Sequence, residues 1–292
     1  MEEASGAWHG VAGKLVVITG ATGGIGLAAA RELARKGARL ALVARSESRA
    51  DAAEASIREA AGSAAVVDKL KADLTSQEDV RRLAAEIRSR YTHLDVLINN
   101  AGAIYSRRQL SRDGIELTWA LNHLAPFLLT TLLIDLLKAS APARVITTSS
   151  MAHRGARIPF DDLNAERGYR SYRRYGESKL ANILFTVELA RRLEGSGVTA
   201  NCFHPGFVAT GFNRNNGPCM NWLMKTAGPL ARSPERGADT LVWLADSPDL
   251  GEVSGRYFTD RRPRTPSPEA QNAEAARRLW DVSLAQTAEG CG

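Results

Sequence analysis

Tyr175 and Lys179 stand four residues apart in Tyr175-Gly-Glu-Ser-Lys179, a spacing that puts both on one face of a helix and against one ligand. An ammonium beside a phenol favours the phenolate. It is expected to draw the tyrosine from its ordinary pKa of roughly 10 toward neutrality, where a phenol serves as general acid or base. The same spacing also occurs on plain exposed helices, so the pair needs company. Thr19-Gly-Ala-Thr-Gly-Gly-Ile-Gly26 follows the apolar Lys14-Leu-Val-Val-Ile18 and precedes the Ala-rich Leu27 to Lys36. A strand, a glycine turn and a helix in that order present backbone N–H groups and a helix N-terminus to a pyrophosphate. Gly20, Gly24 and Gly26 supply the tight turn, the close approach and the helix packing. Their spacing differs from the ordinary Gly-x-Gly-x-x-Gly.

More motifs follow in order. Asp73-Leu74 closes the third strand pattern. Asn99-Asn-Ala-Gly102 follows Leu94-Asp-Val-Leu-Ile98, and Asn122 lies in a long helical pattern. Ser149-Ser150 ends the strand Arg144-Val-Ile-Thr-Thr148, and His204-Pro-Gly206 precedes Thr210. Over residues 14 to 210 the chain resembles the short-chain dehydrogenase/reductase family in its smaller branch. Asn122-His-Leu-Ala-Pro-Phe-Leu-Leu-Thr130, Ser149-Ser-Met-Ala-His153 and Tyr175-Gly-Glu-Ser-Lys-Leu-Ala-Asn-Ile-Leu-Phe185 are similar to the retinol dehydrogenase-like group with its WW-domain oxidoreductase and protochlorophyllide reductase relatives.

The resemblance implies an enzyme, a carbonyl reductase or alcohol dehydrogenase with a dinucleotide held by Gly20, Thr22, Gly24, Ile25, Gly26, Asp73, Leu74, Asn100, Ala101, Gly102, Tyr175, Lys179, Pro205, Gly206 and Thr210. Tyr175 is expected to move the proton while nicotinamide carries the hydride. Ser150 would orient the substrate oxygen, Lys179 would also bind the nicotinamide ribose, and Asn122 would hold a relay water. Ser149 competes with Ser150, since adjacent strand residues point to opposite faces. His153 and His204 read as structural. At the end of the second strand, Ala44 stands where an NAD site has its acid and Arg45 offers a guanidinium for a 2′-phosphate. NADP(H) is therefore expected, with NAD(H) possible. Lipophilic alcohols, aldehydes and ketones are the implied substrates. A non-catalytic dinucleotide sensor and a light-driven, protochlorophyllide-type reductase remain alternatives.

The elements that must position these groups read as alternating strands and helices across one 292-residue Rossmann-type domain, an α/β doubly wound parallel sheet. Strands are expected at 14–19, 39–44, 66–71, 95–99, 143–149, 198–203 and 255–258. Helices are expected at 24–36, 47–61, 76–90, 111–138, 171–193 and 235–246. An apolar lid, Phe207, Phe212, Met220, Trp222, Leu223 and Met224, is expected within 207–234. A tail over 263–292 carries a last helix near 269–286 with Leu279, Trp280 and Leu284 docked on the body.

Net charge is +6, yet bases alternate with acids, so no nucleic-acid partner is expected. Three scattered cysteines form neither a disulfide framework nor a metal site. The start of the chain lacks a signal peptide, and Ala125 to Leu137 is shorter than a bilayer span and contains Asp135, so no membrane anchor and a cytoplasmic location are expected. Surplus apolar residues, Trp119, Phe127 and Leu128 on one long helix and Leu184, Phe185 and Val187 on another, need a cover. A homodimer or homotetramer with two-fold symmetry is therefore expected, with the tail around Trp280 as the alternative cover.

Overall fold

The computed structural model describes residues 7–208 and 231–288. Strand and helix alternate through its first half: β1 Leu15–Thr19, α1 Gly24–Arg35, β2 Arg39–Ala44, α2 Glu47–Ala61, β3 Val67–Lys71, α3 Gln77–Arg90, β4 Val96–Asn99, α4 Leu117–Trp119 and α5 Ala125–Ala139. The second half adds β5 Ala143–Thr148, α6 Ser171–Arg192, β6 Val198–Phe203, α7 Pro234–Asp246, β7 Tyr257–Thr259, β8 Arg262–Pro263 and α8 Ala273–Gln286.

Every residue of β1 is buried, and its side chains alternate between two cores because successive residues of a strand face opposite ways. Val16 and Ile18 pack with α1 and α7 residues such as Leu33 and Leu241. Leu15 and Val17 pack on the other face with Leu83, Leu133 and Leu189. A strand buried on both faces has no polar side, which is why these runs read as continuously apolar. The strands form one eight-stranded sheet in the order β3-β2-β1-β4-β5-β6-β7-β8. All neighbours from β3 through β7 are parallel, and β8 runs antiparallel against β7. This is the expected doubly wound sheet with one more strand. The chain order reverses between β1 and β4, and such a reversal opens a crevice beyond the carboxyl ends of the strands. The glycine loop, the Asn99–Gly102 turn, Ser150 and Pro205 all leave the sheet at that edge.

Several boundaries differ from the sequence reading. The helix expected from residue 111 begins at Leu117: Gly114 takes a φ of +70°, and the Glu116 carboxylate accepts from the N–H groups of Thr118 and Trp119 at 2.9 Å each. A π turn at Ala120–Leu124 joins α4 to α5. The run Leu117–Ala139 is long and apolar enough to cross a membrane by length and composition, and 67% of its apolar stretch is buried inside the fold. Strand β3 ends at Lys71, so Asp73 lies in the following turn, where its carboxylate accepts from Thr75 N and Oγ1. The last helix starts at Ala273, capped by the Asn272 side chain. The start of the tail contains β8, reached through a two-residue turn in which Asp260 and Arg261 both have positive φ, the geometry of a tight hairpin.

Candidate active site

Glycine at position 20 has a φ of +70°, and a β-carbon there would lie 2.9 Å from Cα of Ala101. One at Gly26 would collide with the Gly20 carbonyl and stand 2.6 Å from Nδ2 of Asn100. The loop is thus pressed onto the turn after β4. Thr19 Oγ1 accepts from the N–H groups of Asn100 and Ala101 at 3.0 Å each and donates to Ile98 O at 3.2 Å. Asn100 Nδ2 donates to Thr19 O at 3.1 Å, and its Oδ1 accepts from Thr148 Oγ1 at 3.3 Å. Helix α1 starts from Gly23 with no side-chain cap, leaving its first N–H groups to an anionic ligand. Thr22, Gly24 and Ile25 are only partly buried. A backbone cradle that side chains would fill suits a pyrophosphate.

Beside this cradle, β5 and α6 bring Ser150, Tyr175 and Lys179 together. Ser150 hydrogen-bonds the Tyr175 phenol, and Lys179 Nζ lies 5.6 Å from the centroid of its ring. Ser149 points the other way and donates to Lys179 O at 2.8 Å, which separates the two serines that sequence left open. The lysine donates to Thr148 O at 3.1 Å. Burial dominates both titrations: it pushes Tyr175 up to about 12, against the lowering effect of Ser150, and pushes Lys179 down to about 8. The expected lysine-driven lowering of the tyrosine is therefore reversed, because neither charge is well solvated and the ammonium bonds a carbonyl.

Asn122 is fully buried in the π turn. Its Oδ1 accepts from Ala103 N at 2.9 Å, and its Nδ2 donates to Ala103 O at 2.9 Å and to Ser178 Oγ at 3.0 Å. A β-carbon on Gly102 would sit 3.1 Å from Asn122 Oδ1 and 3.4 Å from Lys179 Nζ. Those two polar atoms thus converge on one glycine. His153 receives Ser267 N on Nε2 at 3.2 Å and bonds Ser150 O through Nδ1 at 2.7 Å. His204 Nδ1 accepts from Met151 N at 3.2 Å. Both rings hold the backbone around Ser150.

Farther along the crevice, Ala44 is buried and Arg45 exposed at the end of β2. Arg45 and Asp73 both act electrostatically on Tyr105, whose phenol burial pushes up. A β-carbon on Gly23 would lie 3.6 Å from Nη2 of Arg49. Sequence reasoning missed this second guanidinium; its position in the first turn of α2, four residues after Arg45, was the available signal. Gly206, with a φ of +86°, lies against the Arg232 side chain, and Arg232 pairs with Asp260. Thr210 and the lid residues Phe212, Met220, Trp222, Leu223 and Met224 lie outside the described residues.

A sequence profile for short chain dehydrogenases matches residues 14–220, from β1 past Gly206. The chain belongs to the short-chain dehydrogenase family. As a member it is an oxidoreductase of the retinol dehydrogenase-like group, and the family binds NAD(P). It is 44% identical to retinol dehydrogenase 13 of Homo sapiens over 279 residues, covering 94% of this chain and 84% of that protein. It is 43% identical to retinol dehydrogenase 14 of Mus musculus over 288 residues, covering 93% and 85%. Among solved structures, an uncharacterized protein from Mycobacterium paratuberculosis superposes with a TM-score of 0.78 at 34% identity, covering 96% of this chain and 95% of that one. The RhlG/NADP active-site complex of Pseudomonas aeruginosa superposes with a TM-score of 0.69 at 26% identity, covering 90% and 99%.

Proposed function

We propose that this short-chain dehydrogenase is an NADP(H)-dependent enzyme that interconverts a lipophilic alcohol and its aldehyde or ketone, with Tyr175 as the proton donor and acceptor. The observation that carries the reading is the hydrogen bond between Ser150 and the Tyr175 phenol at the mouth of the glycine-loop crevice. Bound nicotinamide supplies or accepts the hydride. Ser150 and Tyr175 both bond the substrate oxygen, and Tyr175 gives it a proton in reduction or takes one in oxidation. Lys179, beside Gly102, holds the ribose, and Asn122 in the π turn carries the relay water between Lys179 and solvent.

Arg45 and Arg49 support the NADP reading. Two guanidiniums at the end of β2 suit a 2′-phosphate, and a buried Ala44 offers nothing to a ribose 2′-hydroxyl. The substrate class is argued from the rim. Met151 (46% exposed) follows Ser150, Tyr172 (70%) stands one turn before Tyr175, and Phe207 (51%) follows Gly206. Large apolar side chains left in water around a polar centre mark a site for an apolar ligand. The test is a panel of aldehydes, ketones and alcohols with NADPH or NADP. Lipophilic carbonyls should turn over and small polar ones poorly; no turnover with any member would overturn the proposal.

A further inference from the structure

Two imidazoles close on one peptide group, the one that joins Ser150 to Met151. His153 is fully buried, and its Nδ1 lies 2.7 Å from Ser150 O. His204, 9% exposed, accepts from Met151 N on its own Nδ1 at 3.2 Å. The carbonyl and the N–H of that peptide are thus each held by a ring. The tautomers follow from the partners, because a backbone N–H can only donate. Ser267 N donates to His153 Nε2 at 3.2 Å, so that nitrogen is bare and Nδ1 carries the proton given to Ser150 O. In His204 the bare nitrogen is Nδ1, and the proton sits on Nε2. An imidazolium would have no lone pair to offer either amide. Burial agrees: it lowers both rings and holds His204 down to about 4. Each ring is set from outside the site. His204 N donates to Phe258 O at 2.9 Å, extending the β6–β7 pairing, and the His153 ring stands edge-on to Tyr257 of β7, 5.1 Å between centroids.

The clamped peptide opens the short turn Met151–His153, whose Ala152 N donates to Ser150 Oγ at 3.2 Å. A β-carbon on Gly176 would lie 2.5 Å from Ala152 O, so this turn is pressed on α6 beside Tyr175. With a lone pair committed to Ala152, the serine hydroxyl keeps its O–H to donate. A peptide plane held at one end alone is free to rotate about that end, and Ala152 N would carry the hydroxyl with it.

We propose that His153 and His204 are positioning residues: as opposite neutral tautomers they clamp the Ser150–Met151 peptide from both ends and thereby aim the Ser150 hydroxyl at the substrate oxygen. The inference rests on the role given to Ser150 under the proposed function.

Paired variants separate the clamp from packing. His153→Asn keeps a donor near the place of Nδ1 in a smaller side chain. His153→Gln is nearer in size and keeps an acceptor near the place of Nε2, but has no donor at Nδ1. The clamp expects His153→Asn to retain most of kcat, and His153→Gln to lose about tenfold or more with the KM for cofactor little changed, the scale of a misplaced catalytic group. A merely packing role predicts the reverse order, and that order would overturn the proposal. At position 204 the Asn variant restores an acceptor near Nδ1 and the Leu variant does not, so His204→Asn should likewise outperform His204→Leu. Two readouts need no turnover. Hydrogen exchange of the Ala152 amide reports its bond to Ser150 Oγ, and should quicken about tenfold or more in His153→Gln and His204→Leu but little in the two Asn variants; equal rates in all four would sink the clamp. In the wild type, 15N shifts at pH 7 should show His153 protonated on Nδ1 and His204 on Nε2, and any other pattern refutes the assignment whatever the activity. A protein with these tautomers and this exchange order but no turnover keeps the clamp and overturns the oxidoreductase reading instead.

Discussion

A phenol pushed up to about 12 stays protonated at neutral pH, so under the proposed mechanism Tyr175 would donate directly in reduction and would first have to lose its proton to act in oxidation. The sign of the pH dependence follows. The phenolate fraction rises tenfold per pH unit below the pKa, so oxidative kcat/KM should climb through about pH 7 to 10 while reductive kcat/KM stays level there. An oxidative plateau near neutrality would contradict this geometry. Tyr175→Phe keeps the ring and removes the proton, so turnover should fall by roughly two to four orders of magnitude with cofactor binding retained; near-normal turnover counts against the mechanism. Arg45→Ala should raise KM for NADPH on the order of ten- to a hundred-fold and leave KM for NADH nearly unchanged, because only NADPH brings a charge for a bidentate contact. Equal effects on both cofactors would show that Arg45 does not discriminate between them.

Helix α8 explains the apolar surplus on the two long helices. Trp280 packs 5.0 Å from Phe127 and 6.0 Å from Phe185 between ring centroids, with the Arg192 guanidinium over its other side at 4.3 Å. Trp119 Nε1 donates to Gln286 Oε1 at 3.0 Å. Trp280→Ala should cost about 3–5 kcal/mol in urea unfolding, the range for a buried Trp emptied to a cavity. A loss below about 1 kcal/mol would mean that α8 lies loosely on the body. A second tie joins α4 to α6: Arg174, 1% exposed, bonds Glu116 at 2.7 Å and Glu177 at 3.3 Å. Since Glu116 also caps α4, this buried pair registers the Tyr175 helix against the helix that carries Asn122. Glu116→Ala leaves a buried guanidinium short of a partner and should cost about 3–5 kcal/mol, whereas Glu116→Gln with Arg174→Met should cost less. Denaturant midpoints of the two variants decide the point; equal losses would show that the charges themselves matter little.

At the scale of the whole molecule, Trp280 of α8 covers Phe127 and Phe185 on the two long helices. Light scattering at micromolar concentration should therefore give a mass near 31.5 kDa. A stable mass of twice that would require either a different interface or an undocked α8, and Trp280→Ala would then strengthen rather than create the association.

The order of strands and helices, the glycine loop, Ser150 or its neighbour, Tyr175, Lys179 and the cation after β2 could all be read from the chain, because each is carried by local spacing: a period of two or 3.6, a glycine at a turn, four residues between two side chains. What took the folded molecule was every relation across the sheet. Which serine meets Tyr175 depends on the twist at the end of β5. The direction of the Tyr175 and Lys179 shifts depends on how much water the packed crevice admits, which outweighed the Coulomb argument drawn from spacing alone. The closeness of Arg49 to Gly23 depends on how α2 returns over the loop, and the contact of His123 with Ser283 joins residues 160 positions apart. The packing of the tail's Trp280 on Phe127 and Phe185 is a relation of the same kind. Local sequence sets which residues are apolar; only the three-dimensional path of residues 264 to 288 determines what covers them.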